Sequence, residues 1–178
     1  VDGGKTWTSI AYPGNGGFAG VLLADPAKIG RVFAPDYGHT IYRSANFGAT
    51  FAHNTIGGDS DYFTASPSIV IDPVTPTTLY AGLNSGVWKS VNSGATWTKT
   101  ALAVPSGGPN AIAVQKGATA TLFAAVPGDT GADMLEKSTD GGKTWKAVTS
   151  PLPSQQFSLI AAPASPRASP RLVPSPAR

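Results

Sequence analysis

Two short stretches hold most of the side chains that could act on a substrate. Gly57-Gly58-Asp59-Ser60-Asp61-Tyr62-Phe63 sets two carboxylates beside two aromatic rings, and Asp36-Tyr37-Gly38-His39 adds an acid, a ring and an imidazole. Rings stack on pyranose faces while carboxylates bond hydroxyls or move protons, so this mixture suits a sugar. Asp59 and Asp61 could also enter a calcium shell, but two acids fall well short of the roughly six to eight oxygens that ion takes. A solvated loop is the plainer reading. His39 and His53 stand too far from other ligand types to suggest a metal site, and the chain has no Cys. No glycine-rich segment leads from a strand into a helix, as a phosphate cradle requires. No metal and no cofactor are therefore expected.

Composition narrows the setting for these groups. The chain has 178 residues, with 21 Gly and 16 Pro, a density that allows one globular domain and disfavours a bundle of long helices. No run approaches the roughly 18 to 20 apolar residues of a membrane-spanning helix, so no membrane partner is expected. The net charge is +3, yet residues 1–150 carry eight Lys, two Arg and all ten acids and are neutral as a unit. The excess lies in residues 151–178, where Arg167, Arg171 and Arg178 accompany seven prolines and no acid. Nucleic-acid binding needs its basic footprint on a folded face, so no nucleic-acid partner is expected.

The elements that must position the candidate groups follow from an internal repeat. The pattern S-x-[DN]-x-G-x-T-[WF] occurs at Ser44–Phe51, Ser90–Trp97 and Ser138–Trp145, and its end opens the chain at Asp2–Trp7. The final aromatics are 44, 46 and 48 residues apart. Three apolar or alternating segments precede each full copy and one follows it. They are Val21–Asp25, Arg31–Ala34, Ile41–Ser44 and Thr50–His53, then Ser68–Asp72, Thr78–Ala81, Val87–Ser90 and Thr96–Lys99, then Asn110–Val114, Thr121–Ala124, Leu135–Ser138 and Thr144–Ala147. Four short antiparallel strands in about 46 residues make one blade of a β-propeller. The repeat is then a hairpin turn between third and fourth strands. Its Gly supplies a positive φ, and its Asp or Asn folds back onto backbone N–H groups. Asp2, Asn46, Asn92 and Asp140 are read as these turn residues, and Trp7, Phe51, Trp97 and Trp145 as rings that begin the outgoing strand and pack against its neighbours.

This pattern resembles the Asp-box, or BNR, repeat found in sialidases, sortilin-type receptors, photosystem assembly factors and family 74 xyloglucan hydrolases. The resemblance covers residues 1 to about 150 and implies a propeller, which either acts on glycans or binds a protein. In family 74 a catalytic Asp sits in a D-x-G turn between second and third strands, and Phe33-Ala34-Pro35-Asp36-Tyr37-Gly38 resembles that context, with His39 in place of the usual second Gly. The same slot reads Asn84-Ser85-Gly86 and Asp129-Thr130-Gly131 in the later repeats, as turn chemistry alone would give. Asp36 is thus a turn residue first and a candidate acid or base second. Inverting hydrolysis also needs a second carboxylate about 6.5 to 9.5 Å away; in the family it comes from a second propeller, so the active site is expected to be incomplete in this chain. A sialidase centre, with three Arg and a Tyr and Glu pair, is excluded for residues 1–150, which hold two Arg and one Glu.

The expected architecture is all-β, a partial β-propeller of about three four-stranded antiparallel blades plus stubs, taken from a ring of six to eight. Residues 1–20 would end a truncated blade, residues 21–55, 56–100 and 101–150 would form blades, 151–166 would start a further one, and 167–178 would be a disordered Pro/Arg/Ser tail. Loops opposite the repeat hairpins would line a glycan cleft, with Asp36 the catalytic candidate and Tyr37, His39, Asp59, Asp61, Tyr62 and Phe63 binding substrate. The parent would be a secreted carbohydrate-active protein with polysaccharide or oligosaccharide as partner; the alternative is a non-catalytic propeller that binds a protein or peptide.

Overall fold

The computed structural model describes residues 4–12, 21–36, 38–63, 69–104, 107–117, 119–128 and 133–149. Tyr37, Asp2 and the expected segments 151–166 and 167–178 lie outside the described residues. Those described contain no helix and form three four-stranded sheets. The first blade runs β1 (Leu23–Ala24), β2 (Val32–Pro35), β3 (Thr40–Ser44) and β4 (Ala52–Thr55). The second runs β5 (Ile69–Ile71), β6 (Leu79–Leu83), β7 (Gly86–Ser90) and β8 (Thr98–Lys99). The third runs β9 (Ala111–Gln115), β10 (Thr121–Pro127), β11 (Asp133–Ser138) and β12 (Lys146–Ala147). In each sheet sequence order is spatial order and every pair is antiparallel, the meander of a propeller blade.

The core lies between blades. Phe33, Ile41 and Ile56 meet Phe63, Ile69, Ile71, Leu79, Ala81 and Leu83 in one cluster. Tyr80, Val87 and Leu102 meet Ile112, Val114, Leu122, Ala124 and Val126 in the other. Side chains alternate across a strand, so β6 sends Leu79, Ala81 and Leu83 toward the first blade and Tyr80 toward the third. Both faces of β6 are covered, and all five of its residues are buried. That explains why Leu79-Tyr80-Ala81-Gly82-Leu83 reads as an unbroken apolar run. The fourth strands carry mostly exposed residues, and Lys99 and Lys146 on the edges of the second and third sheets discourage pairing with other chains.

The outgoing strands begin later than the sequence suggests. Phe51, Trp97 and Trp145 precede β4, β8 and β12 instead of opening them. In the second hairpin the aromatic closes the turn: Trp97 Nε1 donates to the Gly94 carbonyl at 3.2 Å, and a Cβ on Gly94 would lie 3.5 Å from the same indole. Trp97 packs on the first inter-blade cluster and Trp145 on the second, whereas Trp7 is 90% exposed.

Polar contacts also join the blades, and they repeat. Arg43, the residue before the hairpin Ser of the first blade, donates from Nη1 to the Ser93 carbonyl of the second at 3.3 Å. Lys89, in the same position one blade later, donates to the Gly141 carbonyl of the third at 3.1 Å. Arg31 Nη1 reaches Ser93 Oγ at 2.8 Å while pairing with the buried Asp25 carboxylate at 3.1 Å. Burial, with the adjacent Arg31 charge as a lesser cause, holds the Arg43 guanidinium below its ordinary pKa.

Candidate functional site

Residues 56–63, the described part of the connection from first blade to second, lie across the second-to-third turns of both, on the face away from the repeat hairpins. They are fixed there by backbone bonds. Ile56 N–H donates to the His39 carbonyl and Phe63 N–H to the Gly38 carbonyl, both at 2.8 Å. On the other side Asn84 N–H donates to the Tyr62 carbonyl and Asn84 Oδ1 accepts from Tyr62 N–H, both at 2.9 Å. Asn84 Nδ2 adds a bond to the Ser60 carbonyl at 3.2 Å, and His39 Nδ1–H donates to the Asp61 carbonyl at 2.9 Å. Because a carbonyl only accepts, Nδ1 is the ring nitrogen that carries a proton in this bond.

Asp36, His39, Asp59, Asp61 and Tyr62 thus fall on one loop cluster, with different availability. Tyr62 is 51% exposed on a backbone held at both polar atoms, and Asp59, three residues earlier in the same loop, is exposed. Asp61 Oδ2 accepts from Gly58 N–H at 2.7 Å and closes its own turn. Gly57 has φ +78°, and a Cβ there would collide with that carboxylate. Asp36 Oδ1 accepts from Thr40 N–H at 3.0 Å across the turn from β2 to β3. Phe63, expected to offer a ring to substrate, instead is 6% exposed in the first inter-blade cluster and bridges to Leu83. The bridge turns its side chain inward, where apolar burial holds it.

Tyr12 was not singled out by its sequence context. Its hydroxyl donates to the Pro35 carbonyl at 2.9 Å, and its ring meets Tyr42 edge-on at 5.7 Å. Burial, then the Asp36 carboxylate, then Tyr42, push the phenol up to about 12. Asn84 was seen only as a turn residue; its clamp on Ser60 and Tyr62 has no local signature, because the partners lie 22 and 24 positions away. Asp25 and Asp72 were also missed. Each is buried and caps the loop after a first strand, through bonds to Ala27 N–H and to Val74 and Thr75 N–H. The repeated Asp-Pro at 25–26 and 72–73 was the signal available. No group of three His, Cys, Asp or Glu that could hold a metal occurs among the described residues.

The hairpins on the opposite face share one bonding scheme. Buried Ser44, Ser90 and Ser138 accept from Gly48, Gly94 and Gly142 N–H at 2.8, 2.8 and 2.9 Å. The same hydroxyls donate to Asn46, Asn92 and Asp140 Oδ1, which accept in turn from Thr50, Thr96 and Thr144 N–H at 3.0, 2.9 and 2.9 Å. Two residues in a row take positive φ: Phe47 and Gly48, Ser93 and Gly94, Gly141 and Gly142.

Fold and hairpins together define an Asp-box repeat β-propeller that resembles the family 74 hydrolases. The model of the BNR/Asp-box repeat matches residues 136–147. A xyloglucanase of Hypocrea jecorina (strain QM6a) is 30% identical over 142 residues, covering 80% of this chain and 16% of its own length. The chain therefore spans about a sixth of that relative. A GH74 enzyme of Niastella koreensis superposes with a TM-score of 0.56 at 24% identity, over 72% of this chain and 22% of that one. An ancestral GH74 enzyme gives 0.57 at 19%, over 72% and 20%. YCF48 bound to D1 peptide gives 0.52 at 14%, over 66% and 36%. At these identities the three solved structures establish the fold.

Proposed function

We propose that this chain contributes a glycan-binding face to a secreted, carbohydrate-active propeller of the xyloglucan or β-glucan hydrolase kind. The observation that carries the proposal is the 30% identity to a xyloglucanase over 142 residues. The geometry supports it. A loop stitched to two blade ends carries the exposed Tyr62 ring and the exposed Asp59, and a ring held on fixed backbone can stack on a pyranose without first being ordered. In this reading Tyr62 and Tyr37 stack on sugar, Asp59, Asp61 and His39 bond hydroxyls, and Asp36 is the candidate acid or base. The two-carboxylate mechanism then requires a second acid facing Asp36 across the cleft. Titration with xyloglucan oligosaccharides, followed by tyrosine and tryptophan fluorescence, tests the reading; an unchanged spectrum at millimolar sugar contradicts it.

A second reading is a non-catalytic scaffold that binds a protein or peptide. It is favoured by the burial of Phe63 and by the engagement of Asp61 within its own turn, which reduce the groups free to meet a sugar. Binding of extended peptides, with no response to oligosaccharides, would select it.

A further inference from the structure

We propose that Asn84 is the positioning residue for the Tyr62 ring, and that an amide, not a carboxylate, is required in its place. The consequence for sugar rests on the glycan reading above; the placement of the ring does not. Asn84 fills in the second blade the slot that Asp36 fills in the first, yet the two side chains act differently. The first turn runs from Pro35 to Ile41, and Asp36 Oδ1 caps it internally by accepting from Thr40 N–H at 3.0 Å. In the second blade Leu83 pairs directly with Gly86, so the turn closes with Asn84 and Ser85 alone and needs no side-chain cap. The Asn84 side chain reaches instead to the connection arriving from the first blade. Its Oδ1 accepts from Tyr62 N–H at 2.9 Å, its Nδ2 donates to the Ser60 carbonyl at 3.2 Å, and its own N–H donates to the Tyr62 carbonyl at 2.9 Å. One side-chain contact accepts and the other donates. An amide does both, whereas an ionised carboxylate only accepts and would set its charge against the Ser60 carbonyl.

The turn that carries Asn84 is itself fixed from two sides. Trp88 Nε1 donates to Ser85 Oγ at 3.1 Å, and Trp88 packs on the first inter-blade cluster. Gly108, at φ +69°, lies so close that a Cβ on it would collide with the Leu83 carbonyl and the Asn84 Cα. The flanking residues of the connection are held elsewhere, Ile56 N–H by the His39 carbonyl and Phe63 N–H by the Gly38 carbonyl, both in the first blade. Asn84 thus governs Ser60 to Tyr62, and the first blade governs the residues on either side. A ring whose backbone is set before binding loses less freedom when it stacks, which is gained as affinity.

Amide hydrogen exchange and oligosaccharide titration of the full chain test the two parts separately. Asn84→Ala removes both side-chain bonds and should speed exchange of the Tyr62 amide about tenfold or more, while the Ile56 and Phe63 amides keep their wild-type rates. Asn84→Asp keeps the acceptor for Tyr62 N–H and loses the donor to Ser60, so its Tyr62 amide should exchange near the wild-type rate. Both variants should bind xyloglucan oligosaccharides about threefold or more weakly than wild type. In a Tyr62→Ala background neither should weaken binding further, whereas a residue that itself touched sugar would do so in both backgrounds. Melting curves establish that each variant is folded. An unchanged Tyr62 amide in Asn84→Ala, faster exchange at Ile56 and Phe63 alongside it, undiminished sugar affinity in either variant, or a further loss in the Tyr62→Ala background would overturn the inference. If wild type binds no oligosaccharide while the exchange pattern holds, the role of Asn84 stands and the glycan reading falls.

Discussion

Thr144 donates its hydroxyl to the Asp140 carboxylate at 2.6 Å, the reverse of the equivalent bond in the preceding blade, where Asn92 Nδ2 donates to Thr96 Oγ1 at 2.9 Å. One hairpin geometry therefore accepts either residue, because the Thr hydroxyl can donate or accept. The two differ in their response to acid. Asp140 is held well below the usual carboxylate range, chiefly by the Thr144 side-chain bond and then by Thr144 N–H, with smaller help from Ser138 and Lys143.

A carboxylate whose pKa is lower folded than unfolded adds stability above its unfolded value, and loses it as pH falls toward the folded one. Asp140 should thus cost the protein stability as pH drops below about 3.8, its ordinary value. Asp140→Asn, already tolerated at positions 46 and 92, should flatten that acid limb while leaving the neutral melting temperature nearly unchanged. Melting curves from pH 2 to 7 measure both.

Glu136 should show the opposite sign. Burial raises its pKa, so the folded state holds its proton more tightly and stability falls as pH rises from about 4.5 through the folded value. Glu136→Gln is expected to raise the melting temperature at pH 7 and to leave it unaltered at pH 4.

Ser90→Ala removes a buried hydroxyl that makes three local bonds and leaves Gly94 N–H buried without its acceptor. Such orphaned groups cost about 1 to 3 kcal/mol, so chemical denaturation should show a loss of that size.

Phe47 sits in the left-handed region, where Gly141 occupies the matching place in the third hairpin. A side chain there costs about 1 to 2 kcal/mol, and the added freedom of unfolded Gly returns roughly 0.5 to 1. Phe47→Gly should therefore stabilise by a few tenths to about 1 kcal/mol in the same denaturation experiment.

How far the chain can be read without coordinates follows from where each signal lies. The blades were legible because S-x-[DN]-x-G-x-T-[WF] encodes a turn whose bonds span at most four residues, so pattern and structure share one scale. The fate of Phe63 was not, since Tyr62 and Phe63 are alike in local context. Only the pairing of Phe63 with Leu83, twenty residues on, turns one ring inward and leaves the other outside. The roles of Arg43 and Lys89 were hidden for the same reason: their acceptors lie 50 and 52 residues away.

Calorimetric titration of wild type, Tyr62→Ala and Phe63→Ala with xyloglucan oligosaccharides tests the proposed glycan-binding role of this loop most directly. Wild type should bind; Tyr62→Ala should bind about fivefold or more weakly, the loss of one stacking contact worth about 1 kcal/mol, with an unchanged melt. Phe63→Ala should fail through stability instead, losing about 3 to 5 kcal/mol of folding free energy. Absence of binding heat in folded wild type, or binding indifferent to Tyr62→Ala, would contradict the account.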